Sequence, residues 1–230
     1  MKKLAVLLSS FIILAQSGYS QQQTDSIPVP AMPRNKFTVR QLQVPLTLTL
    51  MGLAASSNAD GSIKNYIVRE RNEHLPGFRT HIDNYLQYSP IAIVYGLDAM
   101  GIKAKNDFAN RTAMLIKGEL LMLTTVSLLK SATNQLRPDG SDHSSFPSGH
   151  TAQAFATATF LTMEYKDRFP WMPYAAYGLA STVGMMRMAN NRHYISDVLL
   201  GAGIGLLSMK ASYWTHQYKC GKKKTAKLIY

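Results

Sequence analysis

The sequence predicts an all-α protein, an antiparallel bundle of about six helices. Apolar residues recur in segments of helical length, spaced by three and four instead of alternating strictly. Alanine, leucine, methionine and glycine dominate these segments, and alternating runs of β-branched residues are scarce. There is no internal repeat, and 230 residues with 46% hydrophobic content suit one domain with a sizeable core.

The elements follow in order. Residues 1–20 read as a cleaved signal peptide: Lys2 and Lys3 form a basic start, Leu4 to Leu14 is a short apolar run, and Gly18 and Ser20 supply small residues. Residues 21–41, with Gln21 to Gln23 and several prolines, read as an irregular leader. The domain proper is 42–214, with helices expected near 42–57, 90–104, 112–135, 150–165, 174–189 and 195–214. In the third of these Met114, Leu115, Leu121, Met122, Val126 and Leu129 are apolar while Lys117 and Glu119 are not. The polar stretch 58–89 reads as a long loop. Residues 215–230 form a basic tail. Asp98, Lys117, Glu119 and Asp197 interrupt the longest apolar segments, so none offers the roughly 20 uninterrupted apolar residues of a clean span. A soluble bundle and a membrane-embedded one both remain open, since short polar-tipped helices can pack around a buried site.

The net charge of +12, from 25 basic and 13 acidic residues, suits an anionic partner: nucleic acid, a membrane surface or a phosphorylated substrate. Cys220 is the only cysteine, which excludes an internal disulfide and a cysteine-based metal site.

Three short blocks carry chemistry. Lys130 precedes Arg137-Pro138 by seven positions, close to two helical turns, so both cations share a face if the helix persists to the proline. Pro147-Ser148-Gly149-His150 ends a loop and opens a helix, with Ser148 as a natural N-cap and free backbone N–H groups that favour an anion. Arg187 is followed by His193 and, four residues on, Asp197, a spacing that lets the carboxylate reach the imidazole. Tracing the helices back and forth puts Lys130, Arg137, His150, Arg187 and His193 at one end of the bundle. Three cations and helix-start N–H groups can hold a phosphoryl group and neutralise its transition state. His193 can attack phosphorus while Asp197 holds its other ring nitrogen as N–H, and His150 can protonate the leaving oxygen. Such a reaction requires no metal and no cofactor.

The blocks "KSATNQLRP", "PSGH" and "MRMANNRHYISD" resemble the pattern K-x6-RP, PSGH, SR-x5-H-x3-D of the type 2 phosphatidic acid phosphatase (PAP2) superfamily, which includes bacterial lipid phosphatases, class A acid phosphatases and vanadium haloperoxidases. The resemblance covers about residues 90–214. It implies a helical core, His193 as nucleophile, His150 as acid–base, and Lys130, Arg137, Ser148, Gly149 and Arg187 as phosphate ligands. Met186 stands where the pattern has serine.

The resemblance implies as substrate a phosphorylated envelope lipid such as lipid A, undecaprenyl pyrophosphate, phosphatidylglycerophosphate or phosphatidic acid. A soluble acid phosphatase of broad specificity is the alternative, and a vanadate-dependent haloperoxidase a more distant one. No nucleic-acid partner is expected. The loops at the end away from the site, "GIKAKNDFANR" and "EYKDRFPWMP", and the tail "YKCGKKKTAKLIY" are basic. In a membrane they belong in the cytoplasm, which puts the site at the periplasmic face of the inner membrane. With a cleaved signal, helix 42–57 is then expected along the bundle or at the interface. The run "GAGIG" (201–205) permits close helix approach in water or in lipid alike.

Overall fold

The computed structural model describes residues 37–217, except 58 and 60. The expected signal peptide, most of the leader and most of the basic tail lie outside the described residues. A 3-10 turn, Val39–Leu42, leads into α1 (Gln43–Ala54), α2 (Ile63–His74), α3 (Asp83–Leu86), α4 (Ser89–Ala99), α5 (Phe108–Thr133), α6 (Gly149–Tyr165), α7 (Met172–Ala189) and α8 (Ile195–Trp214). Among the described residues there is no strand, and the protein is all-α.

Two helices form the centre. Every residue of α6 from Thr151 to Thr162 is buried, a run of small and aromatic residues in which the hydroxyls of Thr151, Thr157 and Thr159 are satisfied internally. Thr157 donates to the Gln87 carbonyl at 2.8 Å and Thr159 to that of Phe155 at 2.7 Å. α8 packs against α6, α1 and α5, and α6 packs also on α7 and α4.

The small residues of α8 explain its central place. A Cβ on Gly201 would stand 2.6 Å from the Ser148 carbonyl oxygen, and one on Gly205 would meet the Ala152 carbonyl of α6. Gly203 does the same toward α1, where a Cβ would come within 2.9 Å of the Pro45 carbonyl. The backbones therefore approach on two sides of one helix, and α1 lies along the bundle.

Two expectations need correction. The stretch 58–89 is not a long loop: it contains α2 and α3. α2 is polar on the whole ("IKNYIVRERNEH"), and with only Ile63, Tyr66, Ile67 and Val68 apolar it carries too few apolar residues to be read as a packed helix. Specific polar contacts hold it instead: Arg71 donates to the Ala189 carbonyl at 2.8 Å, and Lys64, 3% exposed, donates to the Ser56 carbonyl at 3.2 Å. Nor does the helix carrying Lys130 run on to Pro138. It stops at Thr133, where Asn134 takes the left-handed conformation (φ 45°) that ends helices.

The end away from the site is locked by a buried polar network. Arg111, 2% exposed, donates to Asp98 at 2.6 Å, and Glu164 accepts from Tyr213 Oη at 2.6 Å and from the Asn106 amide at 3.0 Å. These contacts join α4, α5, α6 and α8.

Candidate active site

The three blocks meet at one end of the bundle, each brought there by a different local device. Lys130 stands on the last turn of α5, and its ammonium donates to the Ser144 carbonyl. Arg137 lies in the loop after the Asn134 cap. The loop folds back on itself: the Arg137 amide donates to the Asp142 carbonyl at 3.0 Å, while the guanidinium sits 3.0 Å from the Asp142 carboxylate and 3.1 Å from Ser144 Oγ. Loop folding, not a continued helix face, thus places Arg137.

Ser148 caps α6. Its hydroxyl accepts from the Thr151 amide at 3.4 Å and from Thr151 Oγ1 at 2.9 Å, and its own amide donates to the Asp197 carbonyl at 3.0 Å. That last bond ties the start of α6 to the start of α8. A Cβ on Gly149 would meet only Val126, at 3.8 Å, so the missing side chain leaves the helix N-terminus open without being demanded by packing. The first amides of α6 have no carbonyl partner within the helix and point their positive ends outward.

His193 lies just before α8 and is 3% exposed; Asp197, on the first turn, is fully buried. Their contact is Nδ1 to Oδ2 at 3.3 Å. Asp197 Oδ2 also accepts from Ser145 Oγ at 2.5 Å and from the Tyr194 amide at 3.0 Å, while Oδ1 accepts from Ser196 Oγ at 3.1 Å. These donors fix the carboxylate as an acceptor toward His193, so Nδ1 carries the proton and Nε2 keeps its lone pair. Burial lowers the His193 pKa to about 4, and the charges of Arg187 and Lys130 push the same way, against the attraction of Asp197. At pH 7 the ring is neutral. The His150 pKa is lowered to about 4 by burial and by Arg187, with Asp83 opposing.

A cleft of about 300 Å³ opens at this end. Arg137, His150 and Arg187 line it; Lys130, Ser148 and His193 do not. Beside them stand residues that sequence reasoning missed, all from 58–89 or the turn before His193: Arg79, Asn84 and Arg192 among them. Asp83, fully buried, accepts from Arg187 Nη1 at 2.8 Å, and Asn84 Oδ1 stands 2.8 Å from His150 Nε2. Two consecutive residues of α3 thus hold one phosphate-ligand candidate and one acid–base candidate. The only sequence cue was the Asp-Asn pair itself, inside a stretch with no apolar pattern. Met186, in place of serine, is half-buried, and its carbonyl accepts from the Asn190 amide at 2.8 Å.

Comparison with known proteins follows the geometry. The chain is 36% identical over 189 residues to the lipid A 1-phosphatase of Porphyromonas gingivalis, an alignment that takes in 76% of this chain and 42% of that protein. It thus spans about two fifths of that relative's length. The crystal structure of Aquifex aeolicus LpxE superposes with a TM-score of 0.51 at 22% identity, over 67% of this chain and 97% of that one, a likeness of fold. The PAP2 superfamily model matches residues 46–220, and the chain belongs to the PAP2 superfamily.

Proposed function

We propose that this protein removes phosphate from a phosphorylated envelope lipid, lipid A foremost, through a phosphohistidine intermediate at the periplasmic face of the membrane. The observation that carries the chemistry is the His193–Asp197 pair: a buried neutral imidazole with Nδ1 held toward a carboxylate and no described hydrogen bond on Nε2. The name of the 36% identical relative supports lipid A as substrate. The outward apolar surface of α5 supports a lipid setting, with Leu120 and Leu128 at 60% and 67% exposure.

The steps use this chain's own groups. Phosphate oxygens replace the present partners of Lys130, Arg137 and Arg187 and take the free amides at Gly149 and His150. Nε2 of His193 attacks phosphorus, the P–O bond to the lipid breaks, and His150 gives a proton to the leaving oxygen. His150 is neutral at pH 7 in the free site. A phosphate dianion beside it offsets the arginine field, so the proton is taken up with the substrate. Asp197 stabilises the charged imidazole. His150 then removes a proton from water, the water oxygen attacks phosphorus, and the P–N bond breaks to release orthophosphate. The cations neutralise the transition state that a metal would otherwise neutralise.

The test is phosphate release by the purified full chain, with EDTA present, from lipid A, undecaprenyl pyrophosphate, phosphatidylglycerophosphate and a soluble aryl phosphate. Preferred turnover of lipid A is expected. Equal or better turnover of the aryl ester would make this a broad acid phosphatase, and no turnover of any substrate would remove the reading.

A further inference from the structure

Among the described residues, the cleft carries one arginine that no carboxylate engages. Four arginines line it, and three are set against carboxylates: Arg137 with Asp142 at 3.0 Å, Arg187 with Asp83 at 2.8 Å, and Arg192 with Asp139 at 3.2 Å. Arg79 has no carboxylate within 4.0 Å among the described residues; its Nη1 donates only to the carbonyl of its neighbour Phe78, at 3.0 Å. His81, two residues on, lines the same cleft.

A surface arginine without a partner is ordinary. The anchoring of this one is not. Thr80, between Arg79 and His81, is clamped to the end of α7: its amide donates to Asn190 Oδ1 at 2.9 Å, and Asn190 Nδ2 donates back to its carbonyl at 2.9 Å. Asn190 is 4% exposed and lies three residues beyond Arg187. Arg71 adds a bond to the Ala189 carbonyl at 2.8 Å and one to the Phe78 carbonyl at 3.4 Å. The backbone around Arg79 is therefore fixed to the helix that supplies Arg187, and residues 79 and 81 both reach the cleft.

We infer that Arg79 and His81 form a second anion subsite, which takes a second phosphoryl group of the same substrate beside the one that is hydrolysed. The inference rests on the phosphatase reading and names the substrate class within it. Guanidinium suits the task because its planar fork can grip two phosphate oxygens at once, and the imidazole adds one N–H donor. Asp83, Asp139 and Asp142, the carboxylates paired with the other three arginines, are not among the residues that line the cleft and do not compete for Arg79. At about 300 Å³ the cleft is at the small end for ligand sites, so the two phosphoryl groups must lie close, on one diphosphate or one head group.

The test compares ligands with one and two phosphoryl groups on the full chain in detergent with EDTA. Affinities of phosphate, pyrophosphate, glucose 1-phosphate and glucose 1,6-bisphosphate are read by titration calorimetry, which needs no turnover. A preference of about tenfold or more for a two-phosphoryl ligand over its one-phosphoryl counterpart is expected, the lower end for a charge-assisted hydrogen bond. Arg79→Gln should bring that ratio to about one, and Arg79→Lys should restore part of it. Preference for pyrophosphate alone identifies a diphosphate substrate; preference for the sugar bisphosphate identifies separated phosphates on one head group. No preference in the wild type, or a preference that survives Arg79→Gln, would overturn the subsite. Because binding is read apart from hydrolysis, a chain that binds pyrophosphate through Arg79 but hydrolyses nothing would sink the phosphatase reading and leave the subsite standing.

Discussion

Asp197 is the residue whose surroundings say most about its part. Oδ2 receives the Tyr194 amide at 3.0 Å, a donor that cannot reverse, as well as Ser145 Oγ and His193 Nδ1. Oδ1 meets only the Ser196 hydroxyl at 3.1 Å, and a hydroxyl can turn from donor to acceptor. In Asp197→Asn the amide nitrogen therefore settles at the Oδ1 position, and the oxygen stays toward His193. The imidazole keeps its tautomer and loses only the negative charge opposite it. The expected fall in kcat is about 10²–10³-fold, the size of a lost electrostatic contact, short of the roughly 10⁴-fold that a wrong tautomer causes. From spacing alone Asp197→Asn would be read as a tautomer change; the Tyr194 amide and Ser196 hydroxyl make it a charge deletion. Steady-state kinetics on an aryl phosphate measures it, and an unchanged kcat would remove Asp197 from the catalytic group.

At the level of elements, helix-to-helix distances set the site. The Ser148 carbonyl lies against Gly201 of α8, and the Ser148 amide is bonded to the Asp197 carbonyl, so the turn that presents Gly149 and His150 rests directly on the helix that follows His193. Gly201→Ala puts a methyl group 2.6 Å from that carbonyl oxygen. Backbone cannot swing aside as a side chain can, so the two helices must part. A stability loss of about 1–3 kcal/mol is expected, together with a fall in kcat of about 10²-fold from a misplacement near 1 Å. Gly178→Ala is the control, since nothing lies within 4 Å of a Cβ there. Thermal unfolding and kinetics on the pair decide the matter; a Gly201→Ala chain with normal stability and rate would contradict the close approach. The same elements mark what was legible beforehand. The motif helices α5 to α8 were readable because apolar spacing and cap residues agree there, and tracing them back and forth sufficed to gather Lys130, Arg137, His150, Arg187 and His193. α2 and α3 were not, because single polar contacts dock them: Arg71 on the Ala189 carbonyl, Asp83 on Arg187, Asn84 on His150. Such contacts join residues more than sixty positions apart, and a segment with so few apolar residues gives no local sign of them. The Asn134 cap escaped for a related reason: Pro138 looked the stronger stop signal, while a left-handed asparagine had already ended the helix.

For the whole molecule the open question is what its outer surface meets. α5 has 26 residues, about 39 Å of helix, enough to cross a hydrocarbon core of about 30 Å. α5 and α8 are the described helices long and apolar enough to cross a membrane, but α8 is largely buried within the bundle whereas α5 is not. Ile116, Leu120, Leu123 and Leu128 are all more than half exposed, and Val44 and Leu50 add to the apolar surface from α1. Lys117, which interrupts the apolar run, does not spoil that face: its ammonium donates to Thr215 Oγ1 at 3.1 Å, just beyond the end of α8. Leu120 sits at the middle of α5, where lipid and water make opposite demands. Against water, Leu120→Arg on an exposed helix face should change stability by no more than about 0.5 kcal/mol. Against the centre of a bilayer the same change should cost roughly 2.5–3.5 kcal/mol of insertion free energy. The lipid reading therefore predicts a sharp loss of Leu120→Arg protein from the membrane fraction while Leu120→Phe stays at the wild-type level. Quantitative immunoblotting of carbonate-washed membranes reads this directly. Equal retention of both variants would mean that the apolar face of α5 is not in lipid, and a substrate delivered in solution would then fit the bundle better than one drawn from a bilayer.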